Sequence, residues 1–259
     1  MSLSEKHRSE LWSFANQLAD RASKLLRSYH DSPSTEVEIK ADGSPVTFAD
    51  KQCELLLRRW IKERYPEHGI IGEEFGTDRG DAEFVWILDP IDGTKSFIRR
   101  VPLYGLLFGL IYQGNPHLGV IDQPVTRQRV IGDASGTCYN GQPVRVSTKR
   151  DLQDALLLTT DVKNIAKYQN AAAWERLVAR TGIFRTWGDC YGHLMVAAGL
   201  GDIMADPVLC PWDLIPLLPV LRGAGATVSD WKGGDPLASG NIIAANPWLH
   251  EQTLAILNA

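Results

Sequence analysis

Asp89 and Asp92 stand at the end of an apolar run, Phe84-Val85-Trp86-Ile87-Leu88; Pro90-Ile91 separates them and Gly93-Thr94 follows. The run suits a buried strand, and Pro90 is expected to stop it, because proline cannot donate to a sheet ladder. Two carboxylates would then stand where a strand leaves the core, the usual place for ligand chemistry in an α/β layout. Paired carboxylates on a rigid edge suit a hard cation such as Mg²⁺, with water or phosphate completing its shell. Gly93 permits close backbone approach, so the N–H groups after it and the Thr94 hydroxyl can meet an anion. The plain alternative is a surface turn, since Asp-Pro and Asp-Gly are common turn dipeptides.

Further acids follow the same pattern. Glu73 and Glu74 close the short apolar run Ile70-Ile71-Gly72, and Asp213 follows Trp212 where a helix is expected to begin. Taken singly, Asp213 reads as a helix N-cap and the two glutamates as a solvated corner. Taken together, Glu73, Asp89, Asp92 and Asp213 carry four like charges that repel one another unless cations are present. Two or three Mg²⁺ ions would neutralise them and leave positive charge for a phosphate. A water on such an ion ionises near neutrality, and the ions also offset charge on the phosphoryl oxygens and the leaving alkoxide. The chain has no Gly-x-Ser-x-Gly elbow, which favours direct attack by water over a covalent phosphoenzyme.

In order along the chain, Lys40 with Asp50, Gly72-Glu73-Glu74, Asp89-Pro90-Ile91-Asp92-Gly93-Thr94, Gly188 onward and Trp212-Asp213 resemble the inositol monophosphatase-like, Mg²⁺-dependent, lithium-sensitive phosphatases. The resemblance spans almost the whole chain. It implies an α+β/α/β fold, a layered αβαβα sandwich of the inositol monophosphatase and fructose-1,6-bisphosphatase type, assembled as a homodimer. It also implies that Glu73, Asp89, Asp92, Asp213 and the Ile91 carbonyl hold the metals. The same resemblance implies that Asp50 and Thr94 form a pair that, with Glu73, helps orient and deprotonate the attacking water, while Gly93 and Thr94 are expected to meet the phosphate. Lys40 is either a surface lysine or, from its loop, a partner of the site carboxylates or the phosphate.

Within that family, Gly188-Asp189-Cys190-Tyr191-Gly192, Gly93-Thr94-Lys95-Ser96-Phe97 and Ile121-Asp122-Gln123-Pro124 resemble the histidinol-phosphate phosphatase branch. The region around Asp189 is then expected to face the substrate alcohol. An acid there can pair with a substrate ammonium, which an inositol ring lacks; the alternative for Asp189 is a helix N-cap. Asp206 is a candidate for a second polar contact, and His193 reads as a packed helix residue. The expected reaction is Mg²⁺-dependent hydrolysis of L-histidinol phosphate, within histidine biosynthesis. The competing readings are an inositol-1-phosphate or broad sugar-phosphate phosphatase and, outside catalysis, a metal- and phosphate-binding regulatory module. One departure stands out. Ile215-Pro216 occupies positions where many relatives carry Ala-Gly, and Pro219 is expected to bend the helix they share.

The elements that must position these residues are legible in outline. Leu11, Ala15, Leu18, Ala22, Leu25 and Tyr29 mark a long amphipathic helix, ended by Asp31-Ser32-Pro33-Ser34. Lys40 to Val46 reads as a loop with Asp42-Gly43 inside it. Thr47-Phe48-Ala49-Asp50 reads as a capping box into a second helix with Cys53, Leu56, Leu57, Trp60 and Ile61 on its buried face. Leu106–Tyr112 and Leu118–Ile121 read as a hairpin around Gln113-Gly114-Asn115-Pro116, and Asn140-Gly141 as a tight turn. Beyond about residue 150 strands and helices alternate, which suggests two halves, 1–148 carrying most metal ligands and 149–259 carrying Asp213 and the alcohol pocket.

Composition narrows the function classes. The net charge of −4 across 259 residues offers no basic stripe for nucleic acid. No apolar run approaches the ~20 residues of a membrane span, and Met1 to Arg8 lack a signal peptide's apolar core. Cys53, Cys138, Cys190 and Cys210 are widely spaced and read as reduced thiols in a cytoplasmic protein.

Overall fold

The computed structural model describes residues 3–32, 37–41 and 43–259; Pro33, Ser34 and Asp42 of the two expected breaks lie outside them. Helix α1 (Glu5–His30) starts at Ser4, whose hydroxyl accepts from the His7 N–H, and it buries Leu11, Ala15, Leu18, Ala22 and Leu26 as one stripe. The segment expected to be a loop instead contributes to an antiparallel ribbon, β1 (Val37–Ile39) with β2 (Pro45–Thr47). Thr47 ends the ribbon and caps α2 (Phe48–Arg64), through the expected capping box with Asp50.

The chain then forms β3 (Gly69–Gly72), β4 (Gly76–Asp78) and β5 (Phe84–Asp92). The short helix α3 (Thr94–Phe97) precedes β6 (Gly105–Tyr112), β7 (Asn115–Gln123), β8 (Gln128–Asp133), β9 (Gly136–Tyr139) and β10 (Gln142–Val144). These strands make a sheet in the order β10-β9-β8-β7-β6-β5-β3-β4, antiparallel except where β3 runs beside β5. Two expectations are corrected here. Strand β5 does not stop at Pro90 but continues to Asp92, with a register shift between Asp89 and Asp92. A bulge needs no ladder donor at the extra position, so proline is tolerated inside it. The hairpin turn is also tighter than expected: Gln113 (φ 48) and Gly114 (φ 77) make it alone, as a two-residue primed turn requires. Asn115 and Pro116 already belong to β7, and Pro116 sits at a second register shift.

The second half supplies β11 (Leu156–Leu158), α4 (Val162–Tyr168), α5 (Ala171–Arg180), β12 (Ile183–Arg185), α6 (Asp189–Ala197) and β13 (Ile203–Asp206). It continues with α7 (Pro211–Gly223), β14 (Thr227–Ser229), α8 (Pro236–Ser239), β15 (Ile242–Ala245) and α9 (Pro247–Leu257). Its strands form a second sheet, β12-β11-β13-β15-β14.

Side-chain alternation along the strands sets the layers. Leu106, Phe108 and Leu110 of β6 pack with Leu18 and Leu57 of α1 and α2. Leu107 points to the opposite face and packs with Leu194 of α6 and Leu217 of α7. In the second sheet Leu158 shares that inner core, whereas Leu157 packs outward with Trp174 of α5 and Leu249 of α9. The result is the expected αβαβα sandwich, with α6 and α7 as the middle layer.

Helix α7 lies unusually close to the first sheet. Gly109, Gly119 and Gly132 are direct partners across β6, β7 and β8. A Cβ on Gly119 would fall 1.9 Å from the Pro216 carbonyl oxygen, and one on Gly132 would fall 2.8 Å from the Val220 Cα. The row of missing side chains is thus the groove in which α7 rests. The helix remains continuous through Pro216 and Pro219. No helix among the described residues is long and apolar enough to cross a membrane.

Candidate active site

The acids singled out from the sequence come from four element ends that meet at one corner. Glu73 and Glu74 follow β3, Asp89 and Asp92 lie on either side of the β5 bulge, Asp189 begins α6 and Asp213 lies in the first turn of α7. Asp89 is within hydrogen-bonding reach of both Glu73 and Asp213. Burial, and then the charges of Glu73, Asp92 and Asp213, hold its carboxyl well above the ordinary range. Burial and then the charges of Asp189 and Asp213 do the same to Asp92. Asp213 is pushed up to about 7, chiefly by burial. Carboxyls crowded and desolvated in this way resist ionisation unless a cation joins them.

Three of these carboxylates are also aimed by a backbone group. Ile91 N–H donates to Asp89 Oδ1 at 3.1 Å, and Cys190 N–H donates to Asp92 Oδ2. Cys210 N–H donates to Asp213 Oδ2 at 2.9 Å. Asp213 is therefore not the N-cap of α7 but the third helical residue, reaching back to Cys210 in a capping box. Lys40 is no free surface lysine: its Nζ lies 2.6 Å from both Glu73 Oε1 and Glu74 Oε1. Burial opposes its charge, but its hydrogen bonds to both glutamates and their charges outweigh that and raise its pKa. Glu74 is pushed up to about 7, chiefly by burial.

An all-oxygen, mutually repelling donor set of this kind fits a hard divalent cation. Glu73, Asp89, Asp92 and Asp213, with the Ile91 carbonyl, are the groups that would hold it. Among the described residues no three such side chains already stand in a ready-made coordination group, and their present partners are Lys40, one another and the N–H groups just named.

Asp50 and Thr94, expected as a pair, each hold a partner of their own. Asp50 Oδ2 accepts from the Thr47 N–H at 2.8 Å and from its hydroxyl at 2.5 Å, and burial pushes its carboxyl up to about 6. The Thr94 hydroxyl donates to the Ile91 carbonyl at 3.1 Å. Gly93 stands between, with φ 88, a left-handed conformation that suits glycine.

On the alcohol side, Asp189 is not an N-cap. Gly188 holds that position without a side-chain bond, while Asp189 takes φ 51 and donates its N–H to Thr160 Oγ1 at 2.8 Å. Its carboxylate lies against Gly93, with Oδ2 2.9 Å from where a Cβ would stand. Burial, then the charges of Asp206 and Asp213, push it up to about 7, although Lys95 pulls the other way. Asp206 is turned inward instead. It is buried, and its two oxygens meet the Thr160 N–H at 3.0 Å and His193 Nε2 at 3.1 Å. His193 is the packed helix residue expected from the sequence.

Two contributors escaped the sequence reading. Thr160 bridges Asp189 and Asp206, and nothing in its local sequence marks it. Glu54, fully buried on α2, accepts from the N–H groups of Glu74 and Phe75. Its signal was present: a carboxylate on the same helical face as Leu57 and Ile61. Cavities also lie away from this corner. One of about 680 Å³, between α1 and β7–β9, is lined by Arg27, Arg127 and Arg129 among others and holds none of these residues.

Known proteins resemble this chain in sequence and in fold. The chain is 34% identical over 245 residues to a histidinol-phosphatase of Chlorobaculum parvum, covering 94% of this chain and 95% of that one. It is 36% identical over 272 residues to the chloroplastic bifunctional phosphatase IMPL2 of Arabidopsis thaliana, covering 99% and 78% respectively. The crystal structure of extragenic suppressor protein SuhB from Bartonella henselae superposes with a TM-score of 0.89 at 27% identity, over 96% of this chain and 98% of that one. Residues 7–259 match the family model for the inositol monophosphatase family, and the chain belongs to that family of phosphatases.

Proposed function

We propose that this protein is a Mg²⁺-dependent phosphomonoesterase that hydrolyses L-histidinol phosphate to L-histidinol and phosphate. The observation that carries the choice of substrate is Asp189. Its carboxylate is not used to cap α6 and stands beside Gly93, next to the residues that receive the phosphate. An ammonium there gains a charge-assisted hydrogen bond, and histidinol phosphate carries one. The likeness to a protein named histidinol-phosphatase supports the same reading.

Glu73, Asp89, Asp92 and Asp213, with the Ile91 carbonyl, would hold two or three Mg²⁺ ions, which when bound would lower the pKa of a water and offset the charge of the phosphoryl oxygens. Glu73 takes up the proton of the attacking water, and Lys40 steadies both glutamates. Thr94, donating its own proton to Ile91, offers its hydroxyl lone pairs to orient the attacking water. Asp50, anchored on Thr47, assists Glu73 and Thr94 in orienting that water. Gly93 and Thr94 receive the phosphate, and Asp189 fixes the alcohol so that its oxygen leaves opposite the water. Asp206 acts through Thr160, which it shares with Asp189. In this reading residues 1–148 supply most of the cation site and 149–259 supply Asp213 and the alcohol pocket. The protein works in the cytoplasm as a homodimer.

The test is phosphate release by the purified protein from L-histidinol phosphate, inositol 1-phosphate and a set of sugar phosphates, with Mg²⁺ and with EDTA. The expected result is the highest kcat/KM on histidinol phosphate, abolished by EDTA. Turnover undiminished by EDTA overturns the mechanism, and preference for inositol 1-phosphate overturns the substrate. Phosphate binding without turnover of any ester would make the protein a regulatory module.

A further inference from the structure

We infer that Glu54 is a positioning residue for the cation site, which it serves by holding the Gly72–Gly76 turn so that the Glu73 carboxylate faces Asp89. The inference rests on the reading of Glu73 as a cation ligand.

The turn joins β3 to β4, with Gly72 and Gly76 paired across its base. Its interior is filled by a carboxylate from another element. Glu54 Oε2 accepts from the Glu74 N–H at 2.8 Å, and Oε1 accepts from the Phe75 N–H at 3.2 Å. Arg58, one helical turn along α2, donates from Nε to Oε1 at 2.7 Å and from a terminal nitrogen to the Gly76 carbonyl. A Cβ on Gly72 would fall 2.0 Å from Glu54 Oε1, so this glycine gives the carboxylate its room. Glu73 itself is pinned by its N–H to the Leu88 carbonyl at 3.1 Å. The corner is thus gripped by Leu88 beside it, Lys40 at its carboxylates and Glu54 behind its backbone.

A fully buried charge is a poor way to gain stability alone, since well-packed apolar side chains of similar volume often do as well or better. Two converging N–H groups held by one carboxylate give what an apolar side chain cannot, a fixed direction for the backbone that carries Glu73. Glu54 touches neither substrate nor cation in this arrangement and acts only through the turn.

The test is Glu54→Gln, which keeps the shape but replaces one acceptor oxygen with a donor that opposes an N–H. Mg²⁺ is titrated calorimetrically into metal-stripped wild type and variant, alongside Tm and KM for histidinol phosphate at saturating Mg²⁺. Partners that orient a ligand typically cost ~10- to 100-fold in metal affinity when altered, and a loss of that size is expected here with KM near the wild-type value. Arg58→Gln, which leaves Glu54 in place but unaligned, should lose less in the same direction, and it decides the question by the same titration if Glu54→Gln does not fold. Lower Tm with unchanged Mg²⁺ affinity overturns the inference and leaves Glu54 a structural residue. A wild type that binds Mg²⁺ yet turns over no histidinol phosphate overturns the proposed function instead, and the Mg²⁺ titration still decides Glu54.

Discussion

Gly119→Ala should damage stability and catalysis together, although Gly119 touches nothing at the site. The added methyl carbon would stand 1.9 Å from the Pro216 carbonyl oxygen, against the 3.4 Å at which ordinary contact begins. Something must therefore move by the difference, 3.4 − 1.9 = 1.5 Å. The opposing atom belongs to a helix backbone, so no side-chain rotation relieves the contact. Overpacking a close-packed region costs about 1–3 kcal/mol, and backbone against backbone belongs at the upper end. At about 3 kcal/mol, and about 2–4 °C per kcal/mol for a chain of this size, Tm should fall by roughly 6–12 °C. The same retreat carries the first turn of α7 with it, and Asp213 away from Asp89. Displacements of about 1 Å at reacting groups cost on the order of 100-fold in rate. Circular dichroism melting and steady-state phosphate release with Mg²⁺ measure the two effects. A variant that melts early yet keeps wild-type kcat/KM would refute the link between the glycine row and Asp213, and one unchanged in both would refute the packing argument itself.

Two further outcomes follow from the carboxylates. Asp189→Asn removes one charged hydrogen bond, worth about 1.5–3 kcal/mol, so kcat/KM on histidinol phosphate should fall about 10- to 100-fold while inositol 1-phosphate is little affected; equal losses on both substrates would remove Asp189 from the recognition of an ammonium. Metal-stripped protein should lose stability as pH rises. Asp189 and Asp213 are raised from 3.8 to about 7 and Asp50 to about 6, chiefly by burial, so the folded chain keeps protons that the unfolded chain gives up. That stability is complete below about pH 4 and is lost as pH climbs through 6 to 7. One carboxyl raised from 3.8 to about 7 corresponds to about 4 kcal/mol when fully ionised, and neighbouring groups share rather than add such amounts. Melting in EDTA across this range should show Tm falling, with Mg²⁺ flattening the slope; a Tm that rises with pH in EDTA would refute the account.

Much was legible in the residues alone, because local patterns have local causes. The α1 stripe, the Thr47–Asp50 capping box, the Asn140-Gly141 turn and the burial of Val85 to Leu88 each depend on residues close in sequence. The misreadings arose where a partner strand decided the outcome. Pro90 ends a strand by rule but survives inside a bulge that β6 makes possible, and Pro116 is carried at a register shift in the same sheet. For Asp189 and Asp213 the residues alone left a helix N-cap open beside a role at the site, because a helix start is marked without showing which residue closes it.

Residue types and their spacing already carry the chemistry on offer: several carboxylates at the ends of apolar runs, a Gly-Thr beside them, and periodicities that make two sheets and their helices. How that chemistry is divided was settled by the packing of the layers. It turned Asp206 inward to Thr160 and His193, left the Asp189 carboxylate beside Gly93, and placed Glu54 behind the Glu73 corner. It also laid three glycines from separate strands under Pro216 and Val220, bringing Asp213 to Asp89. The physical reason is the same throughout. Residue type fixes which hydrogen bonds and charges a side chain can offer, but which groups receive them depends on contacts between residues far apart in the chain, and those exist only once the layers have packed.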